Sequence, residues 1–207
     1  MFEELITSRC KIRKFKSSDA DDLFAVLSDA QVMKFVEQPF THAQTCDFVL
    51  KYGLCENPKI FALIADKSKF TNIESHCPKN NDARQENSHA LCGPHLTQSA
   101  CVVGEPANEQ LIGHVIFHLF HDENLEKEYG KDGIYELGFV IAKPYWNMGI
   151  ATEVATGLVG YARQAGFSVL VIECATQNVA SIRIAKRLGF CEVATNDGLK
   201  TFVLSLR

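Results

Sequence analysis

The sequence predicts an α/β fold with at least one parallel pair of strands. The main observation is the last third of the chain, where strand-like and helix-like segments alternate. Strands separated by a helix can pair in parallel, whereas a tight turn joins only antiparallel neighbours. The composition agrees with a globular fold, since 46% of the 207 residues are hydrophobic and 22% are charged. This balance excludes global disorder.

The first third of the chain predicts a strand, two helices and a second strand. Residues 9–15 alternate polar and apolar side chains, as a half-buried strand does. Residues 17–36 begin with serines and an aspartate, which favour a helix start, and continue with apolar residues at helical spacing. A second helix is predicted over 41–52, and the apolar run at 60–65 predicts a short strand.

Residues 67–110 interrupt this pattern. They are rich in polar side chains, and no regular period persists apart from a short strand predicted at 99–103. Such a long loop is uncommon inside a compact domain. We therefore interpret it as an irregular insertion, flexible or facing the substrate, in a single domain spanning 1–207. Zinc binding is the alternative, because Cys92 and His95 have ligand-like spacing. The other candidate zinc ligands are His76, Cys77, His89 and Cys101.

Regular structure is predicted again from residue 111 onwards. Two strands come first, and the glycines at 130 and 133 between them predict a hairpin turn. Helices and strands then alternate, and the final two strands flank a turn at residues 196–198. The predicted strands are 111–120, 133–141, 168–174, 191–193 and 199–206, and the predicted helices are 149–164 and 179–188.

The net charge and the lack of targeting signals argue against several classes of function. With 21 Lys and Arg against 25 Asp and Glu, the net charge of -4 argues against a nucleic-acid partner. No apolar run approaches the roughly 18 residues that span a membrane. The N-terminus lacks the basic and apolar regions of a secretion signal. We therefore expect a cytoplasmic monomer or homodimer with no membrane partner, whose eight cysteines are reduced.

Residues 136–162 carry the strongest chemical signal. A strand leads into Lys143-Pro144 and an aromatic pair, and small residues then open a helix. The backbone N–H groups at such a helix start point outward at the positive end of the helix dipole, which suits a phosphate or pyrophosphate. The motifs of a P-loop and of a dinucleotide site are both absent. A nucleotide-containing ligand that requires no metal fits best, and an ordinary strand–helix turn is the alternative.

A second segment, 178–190, predicts an amphipathic helix with polar groups at its start. Asn178 is a favourable N-cap, and Ser181 lies three positions later. Apolar side chains at helical spacing can cover the core, while Arg183, Lys186 and Arg187 face partly outward. Alone, these features also describe an ordinary surface helix.

Together the two segments resemble the GNAT acyltransferase superfamily, in particular its ribosomal-protein N-terminal (alanine/serine) acetyltransferase branch. The first pattern of the branch appears as Glu136-Leu137-Gly138-Phe139 and as Tyr-Trp-Asn-Met-Gly-Ile-Ala-Thr-Glu at 145–153. The second, Asn-x-x-Ser-x-Arg with a closing Leu-Gly-Phe, runs over 178–190. The resemblance covers the chain except 67–110. It implies a mixed, mostly antiparallel sheet with flanking helices and a central parallel strand pair.

The resemblance also implies an N-acetyltransferase that moves an acetyl group from acetyl-CoA, without a metal, to a primary amine of a protein N-terminus or a small molecule. Glu136 would draw a proton from the amine through water, and Ser181 would protonate the leaving thiolate. Asn178 would bind the pantetheine arm or an ordered water. A surface glutamate and two helix-cap residues are the alternative interpretations. The residues expected to bind acetyl-CoA are Phe139, Val140, Ile141, Asn147, Met148, Gly149, Ile150, Ala151, Thr152, Asn178 and Arg183, with the last at the 3′-phosphate.

The chain departs from the pattern of the branch at two places. Val140 stands where a large aromatic residue is common. Asn147 and Met148 stand where Lys or Arg is common, which removes one electrostatic contribution to pyrophosphate binding. Because fold does not determine function, a coenzyme A-binding sensor or interaction module is the alternative function. Donor binding without transfer to any amine would indicate it.

Overall fold

An eight-stranded sheet organises the part of the chain that the computed structural model describes, residues 2–70, 108–130 and 133–206. The strands are β1 (Glu4–Ile6), β2 (Cys10–Arg13), β3 (Ile60–Asp66), β4 (Glu109–Leu119), β5 (Ile134–Ile141), β6 (Val169–Ala175), β7 (Cys191–Asn196) and β8 (Leu199–Ser205). The helices are α1 (Ala20–Leu27), α2 (Ala30–Met33), α3 (His42–Phe48), α4 (Glu123–Tyr129), α5 (Ile150–Gln164) and α6 (Val179–Arg187).

The sheet has the strand order β1-β2-β3-β4-β5-β6-β8-β7. Every neighbouring pair is antiparallel except β5 and β6, which are parallel. Helix α5 provides the crossover connection that a parallel pair requires. The predicted fold class, a mostly antiparallel mixed sheet with flanking helices and a central parallel pair, is therefore confirmed.

Helices cover both faces of this sheet. Buried side chains of α5 and α6 share one apolar cluster with Leu137 and Ile141 of β5. Buried side chains of α1 and α2 share a second cluster with Val140 of β5, and Phe48 of α3 packs against it. Because side chains alternate along a strand, odd-numbered residues of β5 face α5. Even-numbered residues, including Glu136, face α1–α3.

Several local predictions differ from the structure. Strands β4 and β5 pair as predicted, but α4 joins them, so the predicted hairpin turn is wrong. Within the helix predicted over 41–52, the α-helical part ends at Phe48, and a π-helical turn, Val49–Gly53, follows it. Strand β1 has no counterpart in the sequence predictions. The predicted turn between the last two strands is confirmed, since Asp197 and Gly198 both have the positive φ of a type I′ turn, 49° and 81°.

Both ends of the predicted insertion lie in regular structure. Glu109 already pairs with Asp66 in the sheet. The N–H of Lys67 donates to the carbonyl of Asn108 at 2.7 Å. The chain therefore leaves and re-enters the sheet at neighbouring positions. The short strand and the zinc ligands predicted inside the insertion lie outside the described residues.

A β-bulge in β4 brings two backbones into close contact. The register with β3 shifts between Leu63 and Ile64, and Gly113 next to this shift has a φ of 153°. A Cβ atom on Gly113 would lie 1.9 Å from the carbonyl oxygen of Val140. Only glycine fits at this position, and its contact holds the Val140 carbonyl against β4.

We expect Gly113→Ala to lower the free energy of unfolding by at least about 2 kcal/mol, because the new methyl group collides with fixed backbone and the φ is strained. Gly160→Ala is the control. It lies inside α5, a Cβ there meets nothing within 4 Å, and it should stabilise by up to about 1 kcal/mol. Urea unfolding of both variants measures the difference. Equal midpoints would contradict the close contact.

Candidate active site

The parallel ladder between β5 and β6 is short. It joins three residue pairs and ends at Glu136 and Val171. Beyond this point β5 continues along β4 as far as Ile141, whereas β6 continues along β8 as far as Ala175. The two strands therefore separate and open a wedge between them, with Glu136 at its apex.

Backbone groups of β5 line one side of this wedge. Successive residues of a strand turn their N–H and C=O groups toward opposite neighbours. Val140 turns its carbonyl to β4, and the N–H of Ala142 donates to Ile112 of β4 at 2.7 Å. The alternate residues Phe139 and Ile141 therefore turn their backbone groups into the wedge, where β6 no longer pairs with them.

The structure thus brings two of the three predicted strand contacts to the wedge. The N–H and C=O groups of Phe139 are directed into it, and the Ile141 carbonyl there already accepts a hydrogen bond from Trp146 Nε1 at 2.7 Å. Val140 is placed differently, because its backbone belongs to the β4–β5 pairing and its side chain is buried on the α1 face. Of the three residues predicted to contact a ligand through their backbone, only Phe139 and Ile141 are therefore in position to do so.

The turn between β5 and α5 passes through two residues of positive φ. Asn147 has a φ of 61°, and Gly149, the N-cap of α5, has a φ of 78°. The first N–H groups of a helix have no intrahelical acceptor, and Gly149 has no side chain to cap them. This end of α5 therefore suits an anion such as pyrophosphate. The predicted contacts of the turn differ in burial: Asn147, Met148 and Gly149 are exposed, Ala151 and Thr152 are half-buried, and Ile150 is buried.

Arg9, between β1 and β2, holds this turn in place. Its Nη1 donates to the carbonyl of Met148 at 2.9 Å, and its Nε donates to Glu153 Oε2 at 2.7 Å. Burial opposes the ionisation of Glu153, but hydrogen bonds from Thr7 and Arg9 outweigh it and lower the pKa of this carboxyl group. A guanidinium group therefore stands beside a turn whose own sequence lacks the Lys or Arg common at Asn147 and Met148.

Asn178 and Ser181 lie at the start of α6. Asn178 Oδ1 accepts a hydrogen bond from the N–H of Ser181 at 3.2 Å, so the predicted N-cap is confirmed. Arg183 is exposed on the same helix. Because β5 and β6 are parallel, their carboxyl ends lie at the same edge of the sheet, and α5 and α6 both begin there. The two predicted segments therefore meet at the open end of the wedge.

Glu136 pairs with His118 directly across the β4–β5 ladder. Nε2 of His118 lies 3.1 Å from Oε2 of Glu136, and Nδ1 lies 2.8 Å from the carbonyl oxygen of Leu119. Carboxylates and carbonyls only accept hydrogen bonds, so this geometry favours the protonated ring, in which both nitrogens can donate. The hydrogen bond to Glu136 raises the pKa of His118, while burial and the charge of Lys59 oppose this effect.

His118 and Glu136 form one end of a pocket on the α1–α3 face of the sheet. The pocket has a volume of about 570 Å³, within the range of small-molecule sites. Its other walls include Phe40, Phe48 and Tyr52. Because Glu136 also marks the apex of the wedge, the pocket and the wedge meet at this carboxylate.

Sequence reasoning missed His118 and Arg9 as site residues. His114, Ile116 and His118 are every second residue of the predicted strand 111–120, so their side chains share one face of that strand. Only the register of β4 against β5 brings it opposite Glu136. Arg9 reaches Glu153 across 144 positions of sequence, and no local pattern signals such a contact.

In the part of the chain that the structure describes, no group of three or more His, Cys, Asp and Glu side chains is arranged to hold a metal ion. In residues 2–70, 108–130 and 133–206, no helix has both the length and the apolar character needed to cross a lipid bilayer.

The wedge, the turn and the Glu136–His118 pair make up a candidate transferase site. A family model described as the acetyltransferase (GNAT) domain matches residues 9–191. The chain therefore belongs to the GNAT acetyltransferase family and is an enzyme. It is similar to the uncharacterized N-acetyltransferase YnaD of Bacillus subtilis (strain 168), with 24% identity over 187 residues, 89% of this chain and 81% of that protein.

Solved structures share the fold at low sequence identity. A GNAT-family acetyltransferase from Bacillus anthracis superimposes with a TM-score of 0.67 at 21% identity, covering 98% of both chains. RimL, a ribosomal L7/L12 alpha-N-protein acetyltransferase in complex with coenzyme A, superimposes with a TM-score of 0.63 at 13% identity, again over 98% of both chains. Both comparisons support the fold.

We expect Gly149→Glu to abolish the stabilisation of the protein by acetyl-CoA, because a bulky anion then stands at the uncovered helix start. At a ligand concentration about a hundredfold above Kd, the wild-type gain is ~2.7 kcal/mol, seen as a thermal shift.

Gly166→Glu is the matched control, since Gly166 is also exposed, has a φ of 76° and lies just beyond the other end of α5. Both variants carry the same strain and charge. An undiminished shift in Gly149→Glu would place the donor elsewhere.

Proposed function

We propose that this enzyme transfers the acetyl group of acetyl-CoA to a primary amine. The observation that carries the proposal is the position of Glu136, which lies where the wedge between β5 and β6 meets the pocket on the α1–α3 face. A donor in the wedge and an amine in the pocket then meet at one carboxylate. Thiol release from acetyl-CoA in the presence of a panel of amines tests the proposal directly.

The residues around the wedge fit acetyl-CoA as the co-substrate. The backbone groups of Phe139 and Ile141 can pair with the amide groups of the pantetheine arm and polarise the thioester carbonyl. The uncovered N–H groups after Gly149 suit the pyrophosphate, and Arg9 supplies positive charge beside them. Arg183, exposed on α6, is the candidate for the 3′-phosphate. None of these contacts requires a metal ion.

Glu136 and His118 act as one proton acceptor in this proposal. The acceptor binds as an ammonium ion and must lose a proton before its nitrogen can attack the thioester. Glu136 faces the ammonium, and neutral His118 behind it, whose Nε2 lies 3.1 Å from Oε2 of Glu136, takes up the proton to form an imidazolium–carboxylate pair. The amine lone pair then forms the N–C bond and the C–S bond breaks. Ser181 protonates the thiolate, and Asn178 holds the start of α6 in place.

The proposed acceptors, protein N-termini and small-molecule amines, are those that the resemblance to the ribosomal-protein branch implies. The fold that the chain shares with RimL is compatible with this proposal. We propose the cytoplasm as the location, with the described cysteines free, as they are in the structure.

We expect the activity of the wild type to rise with pH through a group whose pKa lies above the ordinary value of about 6.5 for histidine, since only neutral His118 can accept the proton. His118→Gln should remove this limb of the profile and lower kcat ~10²-fold. Glu136→Gln should lose a similar factor and recover part of it at high pH, where the free amine is already deprotonated.

His121→Gln is the control for this profile. His121 also faces a glutamate, Glu126 at 3.1 Å, but it is exposed and lies outside the pocket. Its substitution should leave the pH profile unchanged. A wild-type limb that persists in His118→Gln would show that another group accepts the proton.

We expect Ser181→Ala to lower kcat while the thermal shift with acetyl-CoA stays the same, because the hydroxyl is needed mainly when the thiolate leaves. The cap survives this change, since Asn178 Oδ1 accepts from the backbone N–H of residue 181. Steady-state kinetics measures the effect. An unchanged kcat would assign the proton to solvent.

A further inference from the structure

Aromatic side chains line one wall of the pocket and support one another. The rings of Phe40 and Phe48 lie 5.5 Å apart at 80°, and those of Phe48 and Tyr52 lie 5.5 Å apart at 61°. Phe48 also contacts the ring of His114 at 5.4 Å. Edge-to-face contacts of this kind hold the rings in fixed orientations. The wall is therefore preorganised for a flat or bulky apolar group.

The opposite side of the pocket is apolar at its base and ends at the proton acceptor. Ile60 is buried and Ile116 is half-buried, and both line the pocket beside His118 and Glu136. The Glu136 side chain is 23% exposed, so its carboxylate is accessible from this space. An amine at Glu136 would therefore have its substituent between two isoleucines and the aromatic wall.

The charges that line the pocket suit a single ammonium group. Three carboxylates face two lysines, and with His118 neutral, as the proposed proton transfer requires, one negative charge remains for the ammonium of the acceptor and none for a second cation. Lys51 lies over the ring of Tyr52 at 5.0 Å and adds positive charge next to the aromatic wall. The charged lining residues are Glu37, Asp47, Glu136, Lys51, Lys59 and His118.

We infer that the acceptor is a primary amine attached, within a few bonds, to an aromatic or branched apolar group, and that it has no second positive charge. This inference rests on the proposed function and adds the substrate class. The ammonium group lies at Glu136 and the apolar group lies against Phe48. Two sources share this chemistry, namely a free arylalkylamine and a peptide whose N-terminal residue has a large apolar side chain.

The test compares kcat/KM for five amines with acetyl-CoA as donor: phenylethylamine, ethylamine, spermidine, and two short peptides that differ only in an N-terminal Phe or Ser. We expect phenylethylamine to exceed ethylamine, or the Phe peptide to exceed the Ser peptide, by about 30-fold, the factor expected for burying a phenyl group. Spermidine should be a poor acceptor. The better of the two aromatic acceptors identifies the source.

Phe48→Ala should reduce the phenylethylamine-to-ethylamine ratio about tenfold, because the central ring of the wall is lost. Phe48→Leu should retain part of the ratio, and it replaces Phe48→Ala in the test if that variant does not fold. Phe35→Ala is the matched control. Phe35 lines a second, more polar depression beside Gln177, which shares only Glu37 with the pocket, so its removal should leave the ratio unchanged.

The outcomes separate this inference from the proposed function. If acetyl-CoA stabilises the protein but no amine releases thiol, the proposed function fails and the inference fails with it. If amines are acetylated but spermidine or ethylamine is preferred, only the inference is overturned. A ratio that falls in Phe35→Ala and not in Phe48→Ala would also overturn it, because the acceptor would then occupy the other depression.

Discussion

The early end of one parallel ladder determines the rest of the site. Strands β5 and β6 share three residue pairs and then follow different neighbours. A strand edge left unpaired inside a sheet exposes backbone donors and acceptors that require partners. In this enzyme the groups turned into the wedge belong to Phe139 and Ile141, and the Ile141 carbonyl already accepts a hydrogen bond from Trp146. The close contact of Gly113 with Val140 keeps the residue between them against β4. The proposed donor site is therefore first a property of the backbone.

Two partly buried ion pairs act on this framework from different sides. Arg9 and Glu153 connect the β1–β2 strand pair to the first turn of α5, and Arg9 also holds the turn between β5 and α5 in place. His118 and Glu136 connect β4 to β5 at the apex of the wedge. Hydrogen bonds from Thr7 and Arg9 lower the pKa of the Glu153 carboxyl group in the first pair. The second contains a histidine whose pKa is raised by its hydrogen bond to Glu136, and histidine is the side chain best suited to acid–base chemistry.

Local patterns predicted most of the fold and the helix starts of the site, while distant contacts escaped them. The strand–helix junction before Gly149 and the cap at Asn178 depend on neighbours within a few residues, so the local sequence predicts both features. The bulge at Gly113 and the pairing of His118 with Glu136 depend on the register between strands, which no single segment encodes. Helix α4 was not predicted, because the connection was assigned to a turn at the glycines 130 and 133 that follow it.

The hydrogen bond between Lys67 and Asn108 has a consequence for how far the chain between them can vary in length. It closes the sheet at the point where the chain departs, next to the paired residues Asp66 and Glu109. The closure entropy of a flexible loop grows only slowly with its length, by about 0.6 kcal/mol for each doubling. A change in the length of the intervening segment should therefore have little effect on the wedge. A new recognition element can be added at this junction while the chemistry is preserved.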